Sequence, residues 1–423
     1  MGKRIIFHVD VNSAFLSWSA VHRLEELGEE TDLRTIPSVV ADERDIRRSI
    51  VLAKSTPAKK YGVKTGEPLG MAREKCPQLA VVPPDYELYV TASRGFIRIL
   101  REFSPLVEQY SIDEAWVDMT GTTELFGPPV LAAEKLKNRI RDELGFTVNV
   151  GISTNKLLAK MAGDFEKPDK VHTLFPEEIR EKLWPLPVRD LFSVGPATER
   201  KLRCLGISTI GQLAQAEPEL LRQKLHKPGL ILWHFANGRS DDALLSAPSE
   251  NKSYGNSMTT PWDVTTAQEG KQVLLSLCET VATRLRRDGK RASLIGVCLR
   301  STDFHNCGRQ MTLQTRTNAT EEIYHAACGV FDLLWDGKTP LRQLGVSVGK
   351  VTAEQAMQRS IFDAEDPERL ERMDAAVDAI RAKYGEDAIL RARLMGGVAG
   401  NMAGGLSKHR RSGVTKPLPE EGK

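Results

Sequence analysis

The chain has 423 residues, 41% apolar and 27% charged, with a net charge of +3, which is too small by itself to call for a nucleic-acid partner. That length exceeds one hydrophobic core and implies two to four domains; no apolar run approaches the ~20 residues that cross a bilayer. The start, Met1-Gly2-Lys3-Arg4-Ile5, has no signal-peptide core, so a cytoplasmic protein without a membrane partner is expected, and the scattered Cys76, Cys204, Cys278, Cys298, Cys307 and Cys328 read as free thiols.

In chain order, residues 4–9, 49–53, 79–82, 107–110, 115–119 and 147–152 have the apolar character of strands. Residues 13–27, 87–103, 130–144 and 156–165 have helical periodicity, the first with Asn12 as N-cap and Gly28 past its end. This is an α/β or α+β catalytic domain, interrupted between 29 and 78 by a smaller insertion rich in Lys, Arg, Gly and Pro. From 176 to 239 short helices take over, punctuated by Pro185, Pro187, Pro196, Pro218 and Pro228, and a polar linker follows at 240–252. Residues 253–259, 267–287, 292–301, 309–315, 321–335 and 341–348 give a β-α-β-β-α-β rhythm, a separate small domain. Beyond 350 one charged helix is expected at 366–384, and then a mobile tail with Gly396, Gly397, Gly400, Gly404 and Gly405.

Tyr110-Ser111-Ile112-Asp113-Glu114-Ala115-Trp116-Val117-Asp118 puts two adjacent carboxylates at the head of an apolar strand. Neighbouring anions repel, and each is costly to bury without a cation beside it. Asp10 ends another apolar strand, Arg4-Ile5-Ile6-Phe7-His8-Val9-Asp10. Three such carboxylates suit a divalent-metal site for phosphoryl chemistry, with ions ~4 Å apart, because Mg²⁺ takes a few carboxylates and keeps substrate phosphates as ligands. On spacing alone a plainer alternative stands beside it, in which Asp10 caps a strand and Asp113-Glu114 is a surface turn. The segment from Lys54 to Gly66 combines cations, hydroxyls and glycines as a triphosphate-gripping loop would, and Lys167 is followed by Pro168. The run 284–291 holds five cations and one acid, fit for a phosphate-contacting surface or merely a solvated face.

The order Asp10…Ser111-Ile112-Asp113-Glu114-Ala115…Gly151-Ile152-Ser153…Asn155-Lys156…Ala159-Lys160…Lys167-Pro168 resembles the Y-family translesion DNA polymerases of the bacterial DNA polymerase IV type, from residue 4 to about 362. The resemblance implies an α+β multidomain right hand. Its parts would be a palm (1–18 and 85–174), small fingers (19–84), a helix-hairpin-helix thumb (175–240), a linker (241–252) and a β-α-β-β-α-β little finger (253–351). Residues 352–423 would supply a clamp-binding peptide, the charged helix and the flexible tail.

It also implies template-directed addition of dNTPs to a primer 3′-hydroxyl by two-metal nucleotidyl transfer, with low fidelity, translesion synthesis in DNA repair and no proofreading. On it Asp10, Asp113 and Glu114, with the Val11 carbonyl, would hold two Mg²⁺ ions, with Mn²⁺ able to substitute. Lys59 and Lys167 would neutralise the triphosphate beside Thr56, and the amides of 11–15 would face it. Phe15 would be the steric gate against a ribose 2′-hydroxyl, its alternative being an ordinary core aromatic.

Val194 and Gly195, at the hairpin, would hold a DNA phosphate, and Arg284, Arg286, Arg287, Lys290, Arg291 and Arg300 would grip the duplex backbone. Gln358-Arg359-Ser360-Ile361-Phe362 resembles a sliding-clamp-binding motif, in which Gln358, Ser360, Ile361 and Phe362 would dock on a bacterial sliding clamp. The polymerase would act as a monomer on primer-template DNA.

The sequence departs from common relatives at Asn12, Ala14-Phe15, Thr56, Lys59 and Ser193. Thr56 offers no aromatic platform, and Lys59 gives a point charge in place of a bidentate fork. The alternatives are a non-catalytic clamp-bound scaffold of the same family, in which the acidic residues would be lost, and a nucleotide cyclase with a similar palm.

Overall fold

The structure, a computed structural model, describes residues 4–43, 49–240, 244, 250–353, 367–385 and 388–394. Contacts divide them into two units, one ending and the other beginning near residue 248.

In the first unit the chain runs β1 (Ile6–Val11), α1 (Ala14–Glu25), β2 (Ser38–Val40), β3 (Ala53–Lys54), α2 (Thr56–Lys60), α3 (Leu69–Lys75), β4 (Ala80–Val82), α4 (Tyr86–Phe103), β5 (Val107–Gln109) and β6 (Glu114–Asp118). It continues with α5 (Thr123–Phe126), α6 (Pro129–Leu144), β7 (Val148–Ser153), α7 (Lys156–Gly163) and β8 (Val171–Thr173). The sheet β5-β6-β1-β7-β8 is antiparallel except for β7 beside β8, so β1 is its central strand. Its inner face, with Phe7, Val9, Val117, Val148 and Val150, packs on α1, α4 and α6. Asp85 starts α4 by accepting from the amides of Glu87 and Leu88. Helix α7 lies directly on β7 at Gly151, where a Cβ would sit 1.9 Å from the Ala159 carbonyl.

Local structure departs from expectation in three places. Asn12 is not the cap of α1; Ser13 holds that position in a left-handed conformation without a side-chain bond, while the Asn12 amide group donates to Thr147. The strand expected at 49–53 shrinks to Ala53–Lys54, in the small sheet β3-β2-β4, because the Val51 and Gly66 amides bond across a loop to the Glu67 and Val51 carbonyls. The segment taken for a phosphate loop opens with α2, whose first turn is set by Pro57 and by Ser55 accepting from the Ala58 amide.

The remainder of this unit is helical: α8 (Pro196–Cys204), α9 (Ile210–Gln215), α10 (Pro218–Leu225) and α11 (Lys227–Ala236) close over Leu202, Ile210, Leu213 and Leu232. Ser193, where a hairpin glycine was expected, has φ 73°, the left-handed backbone that glycine adopts without cost.

The second unit comprises β9 (Tyr254–Val264), α12 (Ala267–Arg287), β10 (Ala292–Ser301), β11 (Asn306–Thr317), α13 (Thr320–Leu334) and β12 (Leu341–Gly349). The antiparallel sheet β11-β10-β12-β9 carries both helices on one face over Leu274, Val281, Ile295, Phe331 and Val346. Thr266 and Glu269 form a capping box on α12.

Helix α14 (Pro367–Tyr384) and the turn Ala392–Leu394 belong to this unit, with Leu394 fully buried in its core. They are joined to it by ion pairs: Arg286 to Asp374 (3.1 Å) and Asp378 (2.7 Å), Arg291 to Glu371 (2.5 Å), and Arg381 and Arg391 to Glu279. Two cations of the run 284–291 are therefore engaged within the unit, and Lys290 pairs with Glu250 at 2.9 Å. Gln358, Ser360, Ile361 and Phe362 and the glycine-rich tail lie outside the described residues. Among the described residues, no helix is long and apolar enough to cross a membrane.

Candidate active site

Antiparallel pairing of β1 with β6 sets Asp10 opposite Glu114, and pairing of β1 with β7 sets it opposite Asn149. Asp113, just before β6, is drawn to the same end of the sheet by a 3.0 Å bond from the Val11 amide to its carbonyl. The tight turn before it is pinned from behind: Ser93, fully buried, donates to the Ile112 carbonyl at 2.5 Å and accepts from Gln109. Ser111 donates to the Asp113 carboxylate at 2.6 Å. All three expected carboxylates thus converge.

Each has a different electrostatic setting. Burial pushes the Asp10 carboxyl up from its ordinary value, against the pull of the Lys167 ammonium bonded to it. Burial likewise raises Asp113, and the charges of Asp10 and Glu114 add to the rise. Glu114 is instead held at about 2: burial opposes this, but hydrogen bonding from His8 and the charge of Lys160 outweigh it. Lys167 is driven upward by Asp10 and by Asp164 at 2.8 Å.

Asp10, Val11, Ser13, Phe15, Lys54, Thr56, Lys59, Asp113 and Lys167 all line one open cleft of about 440 Å³, within the range of ligand sites. Thr56 and Lys59 are exposed on α2, one turn apart along its cleft side. Phe15 stacks on Tyr89 with centroids 4.3 Å apart and planes within 6°, and Tyr89 in turn bonds Ser19 at 3.0 Å. The uncapped start of α1 forms another part of the wall, leaving helix-terminal amides and their partial positive charge toward the cleft.

Among the described residues no three carboxylate, histidine or cysteine side chains close into a cage able to hold an ion alone. A divalent cation that keeps substrate phosphates among its ligands needs no such cage, and a cluster of three carboxylates with two held up by burial and mutual repulsion is short of positive charge. The residues fit such a cation.

Sequence reasoning missed His8, Lys160, Asn149 and Ser93, whose work is done behind the cleft. The signal for His8 was period two: it lies two residues before Asp10 and so shares its face of β1. Asn149, fully buried, donates to the carbonyls of Gly163 (3.1 Å) and Glu166 (2.6 Å) and accepts from the Lys170 amide, fixing the loop that carries Lys167.

The expected nucleic-acid contacts differ in how far they are already engaged within their own units. The Val194 amide is already committed to the Leu191 carbonyl at 3.0 Å, while Gly195 is the N-cap of α8. Arg287 is exposed and pairs with the adjacent Asp288 at 3.5 Å, and Arg300 is bonded to Asn306.

Residues 9–164 match the impB/mucB/samB family, residues 251–361 its C-terminal domain, and residues 176–207 the IMS family HHH motif. The chain is 44% identical over 393 residues to a DNA polymerase IV of Clostridium acetobutylicum, covering 93% of this chain and 98% of that protein. It is 36% identical to DNA polymerase IV 2 of Bacillus subtilis, covering 93% and 95% of the two. A solved Y-family DNA polymerase chimera superposes with a TM-score of 0.70 at 22% identity, over 83% of this chain and all of that one. With the family model spanning the carboxylate site and relatives aligned almost end to end, the chain belongs to the Y-family DNA polymerases of the bacterial DNA polymerase IV type.

Proposed function

We propose that this chain, a translesion DNA polymerase by family, extends a primer 3′-hydroxyl with dNTPs by two-metal nucleotidyl transfer at Asp10, Asp113 and Glu114. The observation that carries the reading is the convergence of these three carboxylates: strand pairing sets Asp10 opposite Glu114, and Asp10 and Asp113 line a cleft that also holds Lys59, Lys167 and Phe15. Asp10, Asp113, Glu114 and the Val11 carbonyl would hold Mg²⁺ or Mn²⁺, which when bound neutralises the reacting phosphate and activates the attacking oxygen. Lys59 and Lys167 meet the triphosphate and lower the cost of charge developing on the leaving pyrophosphate. The amides at the start of α1 add to that positive field. Phe15, braced on Tyr89, bears on the sugar and excludes a 2′-hydroxyl.

Primer-template DNA is held through its backbone. In the thumb the contact falls to Gly195 and the first turn of α8, since Val194 has used its amide. In the second unit it falls to Arg287 more than to Arg286, Lys290 and Arg291, which are paired within the unit. Gln358, Ser360, Ile361 and Phe362 would dock on a sliding clamp, and the enzyme would work in the cytoplasm as a monomer. Primer extension on a templated substrate with Mg²⁺ tests the assignment: the wild type extends and Asp113→Ala does not. A wild type that extends nothing, or a variant that extends as well, overturns it.

A further inference from the structure

Glu114, which begins β6, is one methylene longer than the two aspartates beside it and so has one more rotatable bond to fix. Two groups behind the cleft remove that freedom. His8, 1% exposed, lies 3.2 Å through Nε2 from Glu114 Oε2. Lys160, 9% exposed on α7, donates through Nζ to the same oxygen. Among the described residues no hydrogen bond reaches Oε1, so both tethers act on one oxygen and leave the other.

The tethers are themselves fixed. The His8 ring packs against Trp116 with centroids 5.5 Å apart, and its Nδ1 is buried without a partner against Gly163, where a Cβ would come within 3.3 Å. Donation from Nε2 leaves Nδ1 as a bare lone pair, which tolerates an apolar wall better than an orphaned N–H would. The Lys160 ammonium sits over the rings of Tyr110 (5.4 Å) and Phe192 (5.6 Å). A histidine enclosed this fully has no route to substrate, so its one polar contact defines its role.

We propose that His8 and Lys160 are positioning residues that lock Glu114 through Oε2 and so present it to the metal site as a one-oxygen ligand through Oε1. This rests on the metal-site reading above. Partners of this kind are worth 10- to 100-fold in metal affinity or activity. Lys160 also offsets one of three neighbouring negative charges, an effect that by itself would weaken cation binding; if locking dominates, its removal weakens binding too.

The test is Mn²⁺ titrated into the full chain with primer-template DNA, free Mn²⁺ being read by electron paramagnetic resonance, alongside the Mg²⁺ concentration for half-maximal extension. His8→Phe keeps the ring and removes the donor; about tenfold weaker Mn²⁺ binding is expected, with a matching rise in the Mg²⁺ requirement and an unchanged melting temperature. His8→Gln, which restores a donor, should recover most of the loss. In a Glu114→Ala background His8→Phe should cost nothing further. Glu114→Ala with unchanged Mn²⁺ affinity would sink the metal-site reading itself. Glu114→Ala weakened but His8→Phe unchanged would overturn only the positioning role of His8. Should His8→Phe not fold, Lys160→Met decides: weaker Mn²⁺ binding supports locking, and equal or tighter binding overturns it.

Discussion

Two clusters of charge, one in each unit, are both built around buried carboxylates and behave in opposite ways. In the second unit Glu279, 2% exposed, is met by Arg381 and Arg391, and Arg391 goes on to Glu321 and Asp374. Every charge there finds its opposite inside the protein, and the network fastens α14 to α12 and α13. In the first unit Asp10 and Asp113 line a cleft with Glu114 opposite Asp10 on the next strand; the three share too few internal cations, and Asp10 and Asp113 are held up by burial and by the neighbouring carboxylates. Closed networks hold a fold together; open ones keep a deficit that only a ligand removes.

That contrast breaks first at Asp113. Asp113→Ala should lower primer extension by at least about 10³-fold while leaving the melting temperature unchanged or raised, since a repelled buried charge is removed. A large fall in melting temperature would show that the cluster is structural after all. Glu279→Ala is the mirror case. It takes the acid from buried Arg381, while Arg391 keeps Glu321 and Asp374, and a loss of about 3–5 kcal/mol from the second unit is expected in a denaturant titration. Single-nucleotide insertion chemistry should survive where that unit stays folded.

Lys167→Ala should raise KM for the incoming nucleotide by about 10- to 100-fold, reflecting a lost charge-assisted phosphate contact. An effect on kcat alone would argue instead for a role confined to the transition state. The smallest effect concerns Tyr254, whose hydroxyl is pushed up to about 12 by burial and by donating to Asp288 at 2.6 Å. Because its folded value lies above the unfolded one of about 10, its contribution is complete below pH ~10 and disappears as pH rises through 12. Tyr254→Phe should remove that stretch of the melting-temperature profile.

What the sequence made legible follows the range of the interactions. Helix α12 and strand β10 fall where expected to the residue, since a capping box, strong periodicity and Gly289 punctuate them locally. The Asp113-Glu114 pair stood out because adjacent anions on an apolar strand are anomalous, but spacing alone left the surface-turn alternative standing, and the family resemblance chose between them. Arg286 and Arg291 were not legible, because whether a cation serves solvent, phosphate or protein depends on α14, some 80 to 90 residues away. His8 was hidden for a similar reason: its partner is on another strand. Helix α2 was obscured by its brevity, with only Ser55 and Pro57 to announce it.

The side chain of Asn149 has a kinetic consequence. It fastens residues 163, 166 and 170 to the strand that pairs with Asp10, so the irregular segment bearing Lys167 is suspended from the floor of the palm. As the triphosphate contact proposed above, Lys167 would pass its ammonium from Asp10 to an arriving phosphate by turning about its own methylenes, without displacing the backbone. Rotations of that kind take picoseconds to nanoseconds, whereas loop and domain rearrangements take up to milliseconds. Capture of the nucleotide's charge would then keep pace with diffusion, and any slow step before chemistry must come from elsewhere in the hand.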